Sequence, residues 1–160
     1  STGSYQGRTK MKNLIDWLYG ISVAVLLFIV VQQGVNIYRS YEPTSNWFNA
    51  TELTIPNFNV GDDPVITYTR AIEKEIQGRW LADVQKITED GTISICTSEG
   101  VALYQPDKVL PDEVTLSWLL QDNCRIDKGT YRVEVKWEFD IPNYPNHKYE
   151  TIKSNIFTVS

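Results

Sequence analysis

The sequence predicts an all-β, antiparallel domain behind one N-terminal transmembrane helix, and three observations predict it. Residues 17–31 read WLYGISVAVLLFIVV without a charge, and the chain stays uncharged through Gln32, Gln33 and Gly34 to Tyr38. From Glu52 onward, short runs of β-branched and aromatic residues are separated by Gly, Pro, Asn and Asp clusters, which is the grammar of strands and turns. The best of these runs, 131–140, alternates apolar and polar residues without a break, as a strand with one buried face must.

The apolar run comes first in the chain. A hydrocarbon core of about 30 Å takes roughly 20 residues at the α-helical rise, and residues 17–38 supply that length. Arg8, Lys10 and Lys12 precede the span against Asp16 alone, whereas Arg39 is the single base close behind it. The positive-inside rule therefore places residues 1–16 in the cytoplasm and everything after the helix outside the inner or plasma membrane. If Met11 is the native start, the orientation rests on Lys12 and keeps its sign. A cleaved signal peptide is the competing reading; no small-x-small site follows Val31, which favours an uncleaved signal-anchor. Gly20 and Ala24 form a small-xxx-small face and Gln33 lies deep enough to seek a hydrogen-bond partner, so association of two copies through the helix is an expectation. Against it, such a pair is common by chance and a glutamine near the outer end reaches headgroup water.

Residues 39–51 are rich in Pro, Ser, Asn and Thr without periodicity and read as a stalk. Trp47 and Phe48 are either interfacial anchors or the first core residues. Asn49-Ala50-Thr51 has the form of a glycosylation sequon.

Residues 52–160 then form one extracytoplasmic domain. The expected strands are 52–59, 64–72, 80–88, 92–97, 101–104, 113–121, 130–140 and 154–159, with no helix, and the locally helix-favourable 71–76 is read as a strand end and turn. In 131–140, Tyr131, Val133, Val135, Trp137 and Phe139 share one face. Val114, Leu116, Trp118 and Leu120 repeat the period on the preceding run, and Phe157 with Val159 supplies the last. Asp90-Gly91 is a hairpin signal, because both central positions of a type I′ turn need positive φ; it joins 80–88 to 92–97.

Beyond the span there are 19 acidic and 12 basic residues, with no Lys/Arg cluster. That balance argues against nucleic acid as a partner. Cys96 and Cys124 both lie where the compartment permits oxidation, and a bridge between them is expected, closing a loop of about 28 residues and stabilising the domain by roughly 3 to 4 kcal/mol. Two buried free thiols are the alternative.

Asp127-Lys128-Gly129-Thr130-Tyr131, followed by the alternating strand to Asp140, resembles the D-x-G-x-Y approach to strand F of immunoglobulin-like domains. The resemblance implies an Ig-like antiparallel β-sandwich in which Tyr131 is the corner tyrosine, its hydroxyl bonding back to the corner backbone. Where antibody-type domains carry a cysteine two residues after that tyrosine, this chain has Val133. On this reading Cys124 lies in the connection before the strand and Cys96 on a middle strand, so the bridge is not the usual pin between sheets.

The residues offer little to chemistry. His147 is the one histidine, in the turn Asn143-Tyr144-Pro145-Asn146-His147, and neither a catalytic triad nor a metal site can be assembled around it. Asp62-Asp63, Glu89-Asp90 and Asp112-Glu113 fall in expected turns, where acids are normally solvated, and no Asp-x-Asp-x-Asp-Gly loop accompanies them. No Gly-rich phosphate loop is present. No catalytic residue, cofactor or metal is assigned. The expectation is a non-catalytic, membrane-tethered module that contacts membrane lipid through its helix and binds a protein partner through loops or a sheet edge. The alternative is a small structural or accessory membrane protein of a phage, virion or bacterial envelope assembly. A cluster of exposed Trp and Tyr would mark a docking face.

Overall fold

The computed structural model describes residues 4–121 and 124–160. Helix α1 (Ser4–Tyr41) is continuous, and Ile15–Tyr41 is, among the described residues, the one stretch long and apolar enough to cross a membrane. At the α-helical rise its 27 residues extend about 40 Å. The hydroxyls of Ser22 and Ser40 donate to the carbonyls of Leu18 and Asn36, each at 2.9 Å, the local way for a serine to stay satisfied within a helix. The helix runs through both glutamines and past Tyr38. It stops at Tyr41 because Pro43 drives the residue before it out of the α region.

Residues 42–160 form a separate compact unit, in which antiparallel β-sheet dominates. Its strands are β1 (Phe48–Thr54), β2 (Val65–Ile72), β3 (Ile76–Thr88), β4 (Gly91–Tyr104), β5 (Asp107–Thr115), β6 (Gly129–Phe139), β7 (Lys148–Lys153) and β8 (Phe157–Val159), with a short helix α2 (Leu116–Leu120) after β5. One sheet has the order β1-β2-β5; the other has the order β4-β3-β6-β7, with β8 on β6, and all these pairs are antiparallel. The sheets share one core. Phe48 of β1 sets its ring 4.9 Å from Phe139 and 5.2 Å from both Trp137 and Tyr104 of the other sheet.

The buried face of β6 is the one its alternation predicts: Tyr131, Val133, Val135, Trp137 and Phe139 are all buried. Full burial of a side chain of this size contributes about 1.5 to 3 kcal/mol. Phe157 and Val159 are buried as well, and residues 71–76 divide between the end of β2, a turn and the start of β3.

Four local expectations are corrected. The stretch 39–51 is not a stalk: it holds the last turn of α1, a 3-10 turn (Thr44–Asn46) and the beginning of β1. Trp47 and Phe48 are core residues, 5 % and 0 % exposed. The segment is pinned as well, since Tyr144 Oη and Asn46 Nδ2 donate to the Glu42 carboxylate at 2.5 and 2.9 Å, and Lys148 Nζ donates to the Glu42 carbonyl at 2.7 Å. These bonds hold the Glu42 carboxyl below the usual carboxylate range, Tyr144 contributing most.

Second, 113–121 is not a strand. β5 begins earlier and ends at Thr115, whose hydroxyl accepts from the Trp118 amide at 3.3 Å as a helix cap. A strand would place Leu116, Trp118 and Leu120 on one face; the helix instead buries Leu116, Leu119 and Leu120 and leaves Trp118 exposed, the i, i+3, i+4 pattern of the other period. Gln121 ends the helix in the left-handed region at φ 52°.

Third, 92–97 and 101–104 are one strand. Pairing with β3 carries the backbone through the polar Thr97-Ser98-Glu99-Gly100; Thr97 and Glu99 lie on the solvated outer face, whereas Ser98 on the inner face is buried and satisfies its hydroxyl on the Leu119 carbonyl. Fourth, the β3–β4 turn is centred on Glu89-Asp90, with Thr88 opposite Gly91. Positive φ falls on Gly91 alone, at 134°, so this is not a type I′ turn. The Thr88 hydroxyl closes it by donating to the Gly91 carbonyl at 2.9 Å. Strand β7 has no counterpart among the expected strands.

Candidate functional site

The groups singled out in the sequence are dispersed over the fold. Tyr131 donates its hydroxyl to the Asp127 carbonyl at 2.8 Å. Cys96 lies on β4, an edge strand rather than a middle one, and Cys124 lies in the connection between α2 and β6; their Cα atoms are 5.7 Å apart and the sulfurs stand at disulfide distance. Gly20, Ala24 and Gln33 are exposed along α1. Asn49 is exposed on β1.

The acidic pairs are spent differently from one another. Asp63 accepts from the Ser117 amide at 2.8 Å and the Ser117 hydroxyl at 2.6 Å, so it fastens the loop before β2 to the first turn of α2. The Ser117 hydroxyl first, then its amide, holds this carboxyl below its ordinary range. Asp62 accepts from the Asn59 amide at 3.0 Å, and Glu89-Asp90 form the exposed hairpin turn. Asp112-Glu113 lie within β5, not in a turn. His147 stands 3.8 Å from the Glu138 carboxylate on an exposed loop, and no group of metal-ligating side chains occurs among the described residues.

What the fold assembles instead is an aromatic cleft. It lies where the two sheets part between β4 on one side and β5 with α2 on the other, and encloses about 100 Å³. Leu53 and Ile66 come from the β1-β2-β5 sheet; Trp80, Ala102, Tyr104 and Trp137 come from the other. At its mouth Trp118, 59 % exposed, stacks on Trp80 with ring centres 6.0 Å apart and planes at 23°. Deeper in, Trp137 Nε1 donates to Tyr104 Oη at 3.1 Å, and burial pushes the Tyr104 phenol up. The Arg70 guanidinium lies over the Tyr68 and Tyr104 rings at 5.7 and 5.6 Å, a cation–π arrangement that keeps an apolar wall under a charged rim. Gly100 makes room for this wall: a Cβ there would fall 2.7 Å from the Trp80 indole nitrogen.

The outer edge of β4 borders the cleft. Gln121 Nε2 donates to the Glu99 carbonyl at 2.8 Å, and the Ser98 hydroxyl donates to the Leu119 carbonyl. These two bonds and the Cys96–Cys124 contact tie α2 and the segment after it to the middle of the strand, and leave the stretch from Gly100 to Tyr104 beyond them. Val101 and Leu103 there are 67 % and 57 % exposed.

The sequence singles out none of these cleft residues for function, and it reads Trp118 and Trp137 as residues on the apolar faces of two strands. The readable signal was Thr115 three residues before Trp118, a cap-like spacing ahead of an apolar cluster.

No family model matches the chain, and no curated protein matches it. Among solved structures it is similar to PapD-like domain 7 of human CEP192, at 12 % identity over 74 % of this chain and 89 % of that one, with a TM-score of 0.45. Likeness to CsgH of R. palustris runs at 13 % identity, 67 % and 88 % coverage and a TM-score of 0.32. For the sporulation control protein Spo0M of Bacillus subtilis the values are 14 %, 71 %, 49 % and 0.34.

Proposed function

We propose that this chain is a membrane-anchored, non-catalytic interaction module that holds an Ig-like β-sandwich outside the cytoplasmic membrane and binds a protein partner. The observation that carries this reading is the aromatic cleft with Trp118 at its mouth. An exposed tryptophan stacked on a second one, over an apolar recess with a charged rim, has the composition of an interface anchor. The anchor reading is supported by the apolar length of Ile15–Tyr41, and the sandwich reading by two antiparallel sheets facing one core and by the Tyr131 bond at the corner. The groups that would carry acid–base chemistry have structural work: Asp63 and Glu42 accept several hydrogen bonds each. A second reading, an assembly part of a virion or envelope, is favoured by Leu81, Val101 and Leu103, exposed together on the outer face of β3 and β4.

Two measurements test the proposal on the full chain. Single cysteines at Ser4 and Ser45, probed with an impermeant thiol reagent in intact cells, should label at Ser45 alone; labelling at Ser4 alone overturns the topology. A photo-crosslinking residue at Trp118 should yield a protein adduct in native membranes, whereas the same residue at the exposed Asp90 should not. Equal results at both positions overturn the assignment of the binding face.

A further inference from the structure

We infer that the recess behind Trp118 binds a free small molecule, an aromatic compound about one ring in size that carries one acceptor oxygen, and that this oxygen takes the Tyr104 hydroxyl proton. The ligand goes beyond the interaction-module reading, because it is additional to the protein partner and lies behind the ring that the partner contacts.

Tyr104 holds an unspent proton. At the end of β4 it is 6 % exposed, and its oxygen accepts from Trp137 Nε1 at 3.1 Å. The hydroxyl still has its own proton to give, and among the described residues no group accepts it. Burial pushes the phenol up, so at neutral pH the proton stays in place and Tyr104 acts as a donor. A buried donor without an acceptor costs free energy, and an acceptor oxygen in the recess removes that cost. Arg70 strengthens the donor: its guanidinium lies 5.6 Å from the centre of the Tyr104 ring, and a positive charge there favours release of the phenolic proton.

The walls set the rest of the ligand. The rings of Tyr68, Trp80, Tyr104, Trp118 and Trp137 line the recess, with aliphatic side chains between them, and such walls suit the face or edge of another ring. Its volume of about 100 Å³ is of the order that holds one benzene-sized molecule. Among the described residues of the lining Arg70 is the one that carries a charge, so a basic group is repelled. A water molecule suits the site less well, because it needs about two to four polar partners and the Trp137 N–H is already spent on Tyr104. An oxygen carried on a ring needs one donor and brings apolar area to the remaining walls.

The test uses the full chain in neutral-detergent micelles, with acetophenone and ethylbenzene as probes of similar shape with and without the oxygen. Their uptake by empty micelles is measured and subtracted. Binding is followed by calorimetry and by magnetic resonance of the tryptophan indole N–H groups. The signals of Trp80 and Trp137 should shift saturably, whereas that of Trp47, which packs on Tyr144 outside the recess, should not. Acetophenone should bind about fivefold more tightly than ethylbenzene, the worth of about one net hydrogen bond. Tyr104→Phe, which keeps the ring, should erase that preference while ethylbenzene still binds. Ala102→Leu, which fills the recess from β4, should weaken both probes at least about tenfold. Equal affinity of the two probes for the unaltered chain overturns the inference even if either variant misfolds, and so does a preference that survives in Tyr104→Phe. Shifts that never saturate, or that reach Trp47 equally, show an adventitious additive only and also overturn it. If acetophenone fails while the Trp118 crosslink still captures a protein, this ligand is rejected and the interaction-module reading stands; saturable binding without capture supports the ligand and removes the assigned binding face.

Discussion

At the scale of single residues, the contrast between Trp137 and Lys136 measures how strictly β6 separates its faces. Trp137 is buried among Phe48, Tyr104 and the cleft wall. Trp137→Ala should cost about 3 to 5 kcal/mol, because its surroundings only partly close on the void. Lys136 is exposed and lies over the Tyr149 ring at 4.4 Å, so Lys136→Ala should cost only about 0.5 to 1 kcal/mol. Denaturant midpoints of the two variants check this, and similar losses would mean that the faces are not distinct. Acid sensitivity belongs to the same scale. Asp63 and Glu42 have folded-state pKa values depressed by hydrogen bonds. Their stabilisation is therefore complete above the ordinary carboxylate range and is lost as pH falls through the depressed values. Thermal midpoints should decline on acidification through that range, and Asp63→Asn should make the decline shallower; an unchanged profile would show that Asp63 contributes nothing to it.

At the scale of elements, β4 with α2 is the informative pair. The connection after α2 is held to β4 by Cys96 and Cys124, by Gln121 and by Ser98. Replacing both cysteines by alanine should lower stability by about 2 to 5 kcal/mol. It should also raise amide exchange in 116–121 and 124–126 before the rest of the domain, since the removed tie is local. Mass spectrometry of native material should show a two-hydrogen deficit, and two free thiols would refute the bridge. The helical reading of 116–120 is testable through its cap: Thr115→Ala should cost about 1 kcal/mol, whereas a residue inside a regular strand would carry no such bond. Sequence periodicity could not settle this segment. Leu116, Leu119 and Leu120 satisfy a helix, Leu116, Trp118 and Leu120 satisfy a strand, and a run this short fits both periods.

At the scale of the whole molecule, α1 and residues 42–160 are separate units, and the proposed anchoring gives them different solvents, bilayer for one and water, with its hydrophobic effect, for the other. Heating the full chain in micelles should therefore abolish the near-ultraviolet dichroism of the buried aromatics in one transition while helical far-ultraviolet signal persists. Simultaneous loss of both would show that the units are energetically coupled. The sequence by itself determined the apolar helix, the predominance of β structure, the face of β6 and the pairing of β3 with β4, because each follows from a local period or from a long uncharged run. Only the tertiary structure decided that Trp47 and Phe48 enter the core, that 116–120 is helical, that β4 is an edge, and that Trp80, Tyr104 and Trp118 meet across a cleft. Those outcomes depend on which strands become neighbours, and a partner far along the chain leaves no mark on the local pattern of either segment.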